Sequence, residues 1–269
     1  MGRGLSLGIC LAAASLAGCF TIGDSKVAIG TVSVSAPRPS AERTLVIVLP
    51  GLGDDAQDMK DHGLAEVIHE SWPEADVLLT SATFAYYRDG RLVPRLHEEI
   101  VEPALRGGTR RIWLAGASLG GMGALLYERE HPGELTGIVL FAPFLGNNEL
   151  LDEIRAAGGP RKWEPGPLPN EMNGDNYQRQ VWRMVKGWVD RPELARRVWL
   201  AAGTSDHLIS DVRLLEPELP AAHCLELSGG HTWSLWIRGA KEVFSRIRLE
   251  SAPSSGGAAE FRGSGVSLR

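Results

Sequence analysis

Cysteine is scarce in this chain. There are three in 269 residues, at positions 10, 19 and 224. The first two fall in an N-terminal targeting segment, so Cys224 stands alone in the body of the protein. A disulfide within that body is excluded, even in an oxidising compartment. Cys224 sits in an apolar strand pattern and reads as a small core residue. Positive charge is not in excess either. Lys and Arg number 28 against 33 Asp and Glu, a net charge of −5, which leaves no nucleic-acid footprint. No His/Cys cluster has the spacing of a metal-ligand motif, and no cofactor is expected. The apolar stretch 5–16 is too short to span a bilayer as a helix. No internal repeat is present, which argues against a solenoid. What remains is ordinary globular composition, 43% hydrophobic and 23% charged, enough for one large α/β domain.

The chain is organised around residues 110–123, RRIWLAGASLGGMG. Ile112 to Ala115 form a short apolar run, the pattern of a strand buried on both faces. Gly116-Ala117-Ser118-Leu119-Gly120 breaks it, and a helix is predicted over 122–130. A serine between two glycines at a strand-to-helix turn has the form of a nucleophile elbow. The residue types follow from geometry. A nucleophile held out on a tight turn adopts a strained backbone conformation. The chain then passes close to itself two residues on either side, so only glycine fits at 116 and 120.

Strands are expected at 44–49 (TLVIVL), 75–80 (ADVLLT), 137–141 (GIVLF), 198–202 (VWLAA) and 224–227 (CLEL), besides the one before Ser118. Residues 26–34 alternate loosely, and an edge strand is possible there. After 44–49 come Pro50-Gly51-Leu52-Gly53, then a helix to about Glu70 capped by Asp54 or Asp55. Residues 81–90 (SATFAYYRDG) read as a loop at a strand's carboxyl end, where open α/β sheets bind ligands. There Phe84, Tyr86 and Tyr87 either line a pocket or simply pack. A helix is expected over 94–105. Residues 146–197 interrupt the strand–helix rhythm with prolines, Trp163, Trp182, Trp188 and an amphipathic helix from Tyr177 to Trp188. This is read as a small cap-like insertion, with an enlarged outer helix layer as the alternative. A closing helix is expected over 239–249, and residues 250–269, rich in Ser and Gly, as a disordered tail. Strands interleaved with helices imply an α/β fold with a mostly parallel, doubly wound sheet.

Three loops carry the chemistry. Ser118, Asp206 in Gly-Thr-Ser-Asp, and His231 in Gly-Gly-His-Thr-Trp each lie just past a strand. In that order they resemble the α/β-hydrolase superfamily, over about residues 44–249, and within it the serine esterases. The resemblance implies that Ser118 is the nucleophile, His231 the base and Asp206 the acid that orients it. Asp211 is the rival for the acid. His207 is disfavoured as a partner because neighbouring side chains diverge in extended chain. The resemblance also implies an oxyanion hole made by the backbone N–H groups of Leu52 and Leu119. Many relatives carry His before the first glycine of that loop, where this chain has Pro50. The expected substrate is a small-molecule ester or other acyl compound. A peptidase, amidase or thioesterase uses the same parts, and a non-catalytic membrane-anchored binding module is the alternative outside the enzymes. Oligomeric state is not legible.

The N-terminus adds location. Arg3 precedes the apolar stretch, which ends Leu16-Ala17-Gly18-Cys19. This resembles the lipobox of bacterial lipoproteins, and the alternative is an ordinary signal peptide that happens to hold a cysteine. The resemblance implies removal of residues 1–18, lipid on the Cys19 sulfur and residues 19–43 as anchor and tether. The protein is then expected to be attached to a membrane of the bacterial cell envelope. Phe20, in place of an aspartate, tilts this toward the outer membrane.

Overall fold

The computed structural model describes residues 22–251. The signal segment, Cys19 and nearly all of the C-terminal tail lie outside the described residues. The chain runs β1 (Thr31–Val34), β2 (Thr44–Leu49), α1 (Ala56–Asp61), α2 (Leu64–Ser71), β3 (Ala75–Thr80), α3 (Phe84–Arg88) and α4 (Leu92–Leu96). A π-helical turn (His97–Val101) leads into α5 (Glu102–Arg106). Then come β4 (Arg111–Ala117), α6 (Leu119–Glu130), β5 (Gly137–Phe141), α7 (Asn148–Ala156), α8 (Tyr177–Lys186) and α9 (Pro192–Ala195). The chain closes with β6 (Val198–Gly203), α10 (Ile209–Leu215), β7 (Cys224–Leu227) and α11 (Trp233–Ser251).

The strands form one sheet in the order β1-β3-β2-β4-β5-β6-β7. Every pairing is parallel except β1 with β3. Both faces are covered, which is why the central strands are unbroken apolar runs. Alternate residues serve opposite layers. Ile47, Leu49, Ile112, Leu114, Ile138 and Leu140 face the layer holding α6. Val46, Val48, Trp113, Ala115, Val139 and Phe141 face the layer holding α2 and α11.

Several expectations shift. The segment read as a tether contributes β1, with Val32 and Val34 packed on the core and Ile29 buried. The sheet therefore begins at Thr31, before the expected boundary at 44. The helix expected to reach Glu70 is two helices. Asp55 caps the first with a reciprocal bond pair to Asp58, and Gly63, at φ +77°, separates the second. The aromatic loop at 81–90 contains α3. Tyr86 is buried with its hydroxyl donating to Val27 O at 3.0 Å, and the Tyr87 hydroxyl is enclosed. Neither tyrosine faces an open pocket, because each ring is needed to fill the layer beside α6. The helix of 94–105 extends from Leu92 to Arg106 and carries the π turn in its middle. Pro103 explains that turn: it has no N–H to give to the Glu99 carbonyl, and its ring would crowd it.

Residues 146–197 lie in the helical layer. Trp163, Trp182 and Trp188 are buried in the same core as α6, and Trp182 Nε1 donates to Leu145 O at 2.8 Å. Their rings are thus spent on packing. The last helix starts at Trp233, six residues earlier than the expected 239.

The elbow glycines are steric requirements. A Cβ on Gly116 would sit 2.1 Å from Gly120 O, and one on Gly120 would sit 2.5 Å from Leu49 O. Both obstacles are backbone and cannot swing away. Gly116→Ala is expected to cost about 3 kcal/mol, the upper part of the usual overpacking range. The control is Gly174→Ala, where a Cβ meets nothing within 4 Å, and there the change should stay within about 0.5 kcal/mol. Urea denaturation of the two variants checks this.

Candidate active site

Ser118 stands alone between β4 and α6 with φ +51° and ψ −113°. A non-glycine residue there is strained, and the neighbouring bonds hold it in place. Its N–H donates to Phe141 O at 2.9 Å. Its carbonyl accepts from Gly121 N–H at 3.0 Å and Phe144 N–H at 2.9 Å. The side chain is left at the carboxyl edge of the sheet, half-buried, at the positive end of a twelve-residue helix.

Asp206 and His231 come from adjacent strand ends. The β6–β7 register runs to Gly203 opposite Leu227. The loops then stay zipped, with Thr204 N–H donating to Leu227 O at 2.9 Å and Ser205 N–H to Gly229 O at 2.8 Å. This closeness needs glycine: a Cβ on Gly203 would be 2.3 Å from Gly229 O. Asp206 is 3% exposed, and both its oxygens face His231 Nδ1, at 2.8 and 3.0 Å. The carboxylate can only accept, so Nδ1 carries the proton and Nε2 is the basic nitrogen. Leu208 N–H donates to Asp206 Oδ1 at 2.8 Å and fixes the carboxylate. Asp211 points elsewhere, into an ion pair with Arg155. Among the described residues the Ser118 hydroxyl and His231 Nε2 carry no hydrogen bond. A hydroxyl is a free rotor, and such contacts tighten when substrate arrives.

The loop after β2 lies against the elbow. Gly120 packs on Leu49 O and Pro50 O, and Gly51 sits near Ala117 O and the Trp236 ring. The N–H groups of Leu52 and Leu119 have no hydrogen-bond partner among the described residues, so both are available as donors. The Asp54 carboxylate abuts Gly51, and burial pushes its pKa up from the ordinary value.

Aromatic rings pack around His231. Trp236 meets His231 edge-on at 5.1 Å between ring centres, and Trp233 meets Trp236 at 5.0 Å. His62 stacks on Trp233 at 4.4 Å. His207 also approaches, 4.6 Å from His231 ring to ring, with Nδ1 3.7 Å from Asp206, beyond hydrogen-bond reach. Phe84, Tyr86 and Tyr87 were expected either to line a pocket or simply to pack, and Tyr86 and Tyr87 pack in the core. The rings beside His231 come from Trp233 and Trp236, three residues apart on one side of α11.

A family model described as "Putative esterase" matches residues 85–239. No curated protein matches the sequence. Among solved structures, S-formylglutathione hydrolase of Staphylococcus aureus is similar at a TM-score of 0.53 and 14% identity, over 81% of this chain and 96% of that one. Est1E of Butyrivibrio proteoclasticus, with ferulic acid bound, gives 0.53 and 14% over 82% and 94%. The fluorophosphonate-binding serine hydrolase F of S. aureus gives 0.53 and 13% over 82% and 99%. At these identities the likeness establishes the fold, and the family match, which spans more than half of the chain, establishes the chemistry. The chain belongs to this esterase family and is a carboxylic-ester hydrolase built on the α/β-hydrolase fold.

Proposed function

We propose that the ester is cleaved through an acyl-serine intermediate, with Ser118 as nucleophile, His231 as base and Asp206 as its orienting acid. The observation that carries this reading is the buried Asp206 bonded to His231 Nδ1, on the same sheet edge as the strained Ser118. A serine hydroxyl is a weak nucleophile near neutral pH, so its proton must leave as the bond to the acyl carbon forms. His231 Nε2 takes that proton and returns it to the departing alcohol. Asp206 holds the tautomer and stabilises the imidazolium. The Leu52 and Leu119 N–H groups receive the negative charge that builds on the carbonyl oxygen, and losing one such donor costs about 2.7–4 kcal/mol in other hydrolases. Water then repeats the sequence against the acyl-enzyme.

The partly exposed Trp233, which packs on the Trp236 ring beside His231, supports a substrate with an apolar or aromatic group. Location is part of the same proposal. Leu16-Ala17-Gly18-Cys19 supports cleavage before Cys19, lipid on its sulfur and attachment to the bacterial envelope, with Phe20 favouring the outer membrane. Among the described residues no helix is long and apolar enough to cross a membrane. A fluorophosphonate probe tests the chemistry. It is expected to label wild type and to leave Ser118→Ala unlabelled; equal labelling of both overturns the reading. Matched ester, anilide and thioester substrates should be turned over fastest as the ester.

A further inference from the structure

The segment that precedes β1 is fastened to the edge of the sheet that carries Ser118. β1 runs antiparallel to β3, so its first residue, Thr31, pairs with Thr80, the last of β3. Residues 22–30 therefore lie past the carboxyl ends of the parallel strands. Backbone bonds hold them there: Ser81 N–H donates to Gly30 O at 2.7 Å, and Ala85 N–H donates to Ile22 O at 2.9 Å. The Tyr86 hydroxyl donates to Val27 O at 3.0 Å, and the Ser25 hydroxyl donates to Asp89 Oδ2 at 2.6 Å. Ser25 is 1% exposed, and a Cβ on Gly23 would meet the Thr83 hydroxyl at 1.9 Å. A strap bonded and packed in this way moves with the domain.

We propose that the strap turns the Ser118 edge toward the bilayer, and that the ester cleaved there is an amphiphile lodged at the membrane surface. The inference rests on the proposed lipid at Cys19. Only Phe20 and Thr21 stand between Cys19 and Ile22. Three chain steps of about 3.3–3.6 Å put the anchor no more than ~11 Å from the bound strap. Only β2 separates β3, where the strap is fixed, from β4, which presents Ser118, a sideways distance of about 10 Å. The amino edge lies some 20 Å away along the strands, on the side that faces away from the anchor. A slack tether over residues 19–43 would reach ~27 Å and let the domain turn freely. A strap bonded from Ile22 onward removes that freedom.

The side chains on this edge suit a membrane surface. Ile22 and Val27 on the strap are 47% and 56% exposed. Leu52, whose N–H is the proposed oxyanion donor, is 51% exposed, and the partly exposed Trp233 packs on Trp236 beside His231. Indole rings settle at the headgroup level of a bilayer. Asp24, Asp55 and Asp89 share the edge, so it rests among headgroups and does not sink into hydrocarbon. An amphiphilic ester places its carbonyl at that same depth, between its apolar chain and its polar head.

The test places the protein purified from membranes in phosphatidylcholine vesicles. Intact mass is read first. A chain without lipid on Cys19 removes the location reading and this inference with it. On the lipidated protein, a fluorophore is attached through Val27→Cys or Leu249→Cys in a Cys224→Ser background. Leu249 is exposed at the amino edge, next to Arg248, which pairs with Glu74 just ahead of β3. A nitroxide on the lipid headgroup is expected to quench the label at position 27 and to leave the label at 249 unquenched. Equal or reversed quenching overturns the inference and leaves the lipid reading standing. A second arm tests the substrate. A chain carrying Cys19→Ser, Cys224→Ser and Leu249→Cys is anchored through a maleimide lipid at 249, which gives the same surface concentration and the opposite orientation. Native anchoring should hydrolyse monoacylglycerol in the vesicles roughly tenfold faster than this reversed form, with equal rates on a water-soluble acetate ester. Equal rates on the vesicle ester overturn the assignment of an amphiphile.

Discussion

Ser118→Ala is expected to lower kcat for ester hydrolysis by about 10⁴–10⁶-fold, with the melting temperature within a few degrees of wild type. The size follows from what is removed. Without the hydroxyl no acyl-enzyme forms, and the remaining rate comes from the oxyanion donors and from binding. The fold is spared because alanine keeps the Cβ and the same backbone. The bonds that hold position 118 run from its N–H and to its carbonyl, both untouched. Adding His231→Ala to Ser118→Ala should cost little more, since the two act as one unit. Steady-state rates on an activated ester check both statements. A loss below about a hundredfold in Ser118→Ala would remove the nucleophile from the account.

The second large effect belongs to Asp206. Asp206→Asn should lower kcat by about 10⁴-fold with little change in KM. Asparagine has the same shape, and its carbonyl can still accept from Leu208 N–H. The failure is electronic. An amide NH₂ facing His231 Nδ1 donates, which moves the ring proton to Nε2 and leaves no base for Ser118. The rival acid gives a contrasting result. Asp211 is paired with Arg155, which joins α7 to α10. Asp211→Asn should therefore lower stability and leave the catalytic rate largely intact. Comparing the two variants in one ester assay and one melting experiment separates the roles.

The central strands were legible because burial on both faces leaves their middles apolar, with polar residues kept toward the ends. Each candidate loop was legible for a related reason: in a parallel sheet a strand's end is a fixed place, so position after a strand is position at the edge. Asp206 and His231 follow adjacent strands, and their loops emerge side by side. Whether Tyr86 and Tyr87 line a pocket or pack stayed open in the sequence, because they too sit after a strand; their rings turn into the core. Sequence position shows where a loop emerges, not which way its side chains point. Strand β1 was legible only as a loose alternation, since an edge strand has one buried face and few partners.

The most direct measurement is mass spectrometry of the enzyme quenched during turnover of a slowly deacylated ester. The account predicts a single added acyl group, mapped to the peptide that contains Ser118 and absent in Ser118→Ala. An acyl group on a different residue, or turnover that persists undiminished in Ser118→Ala, would contradict it.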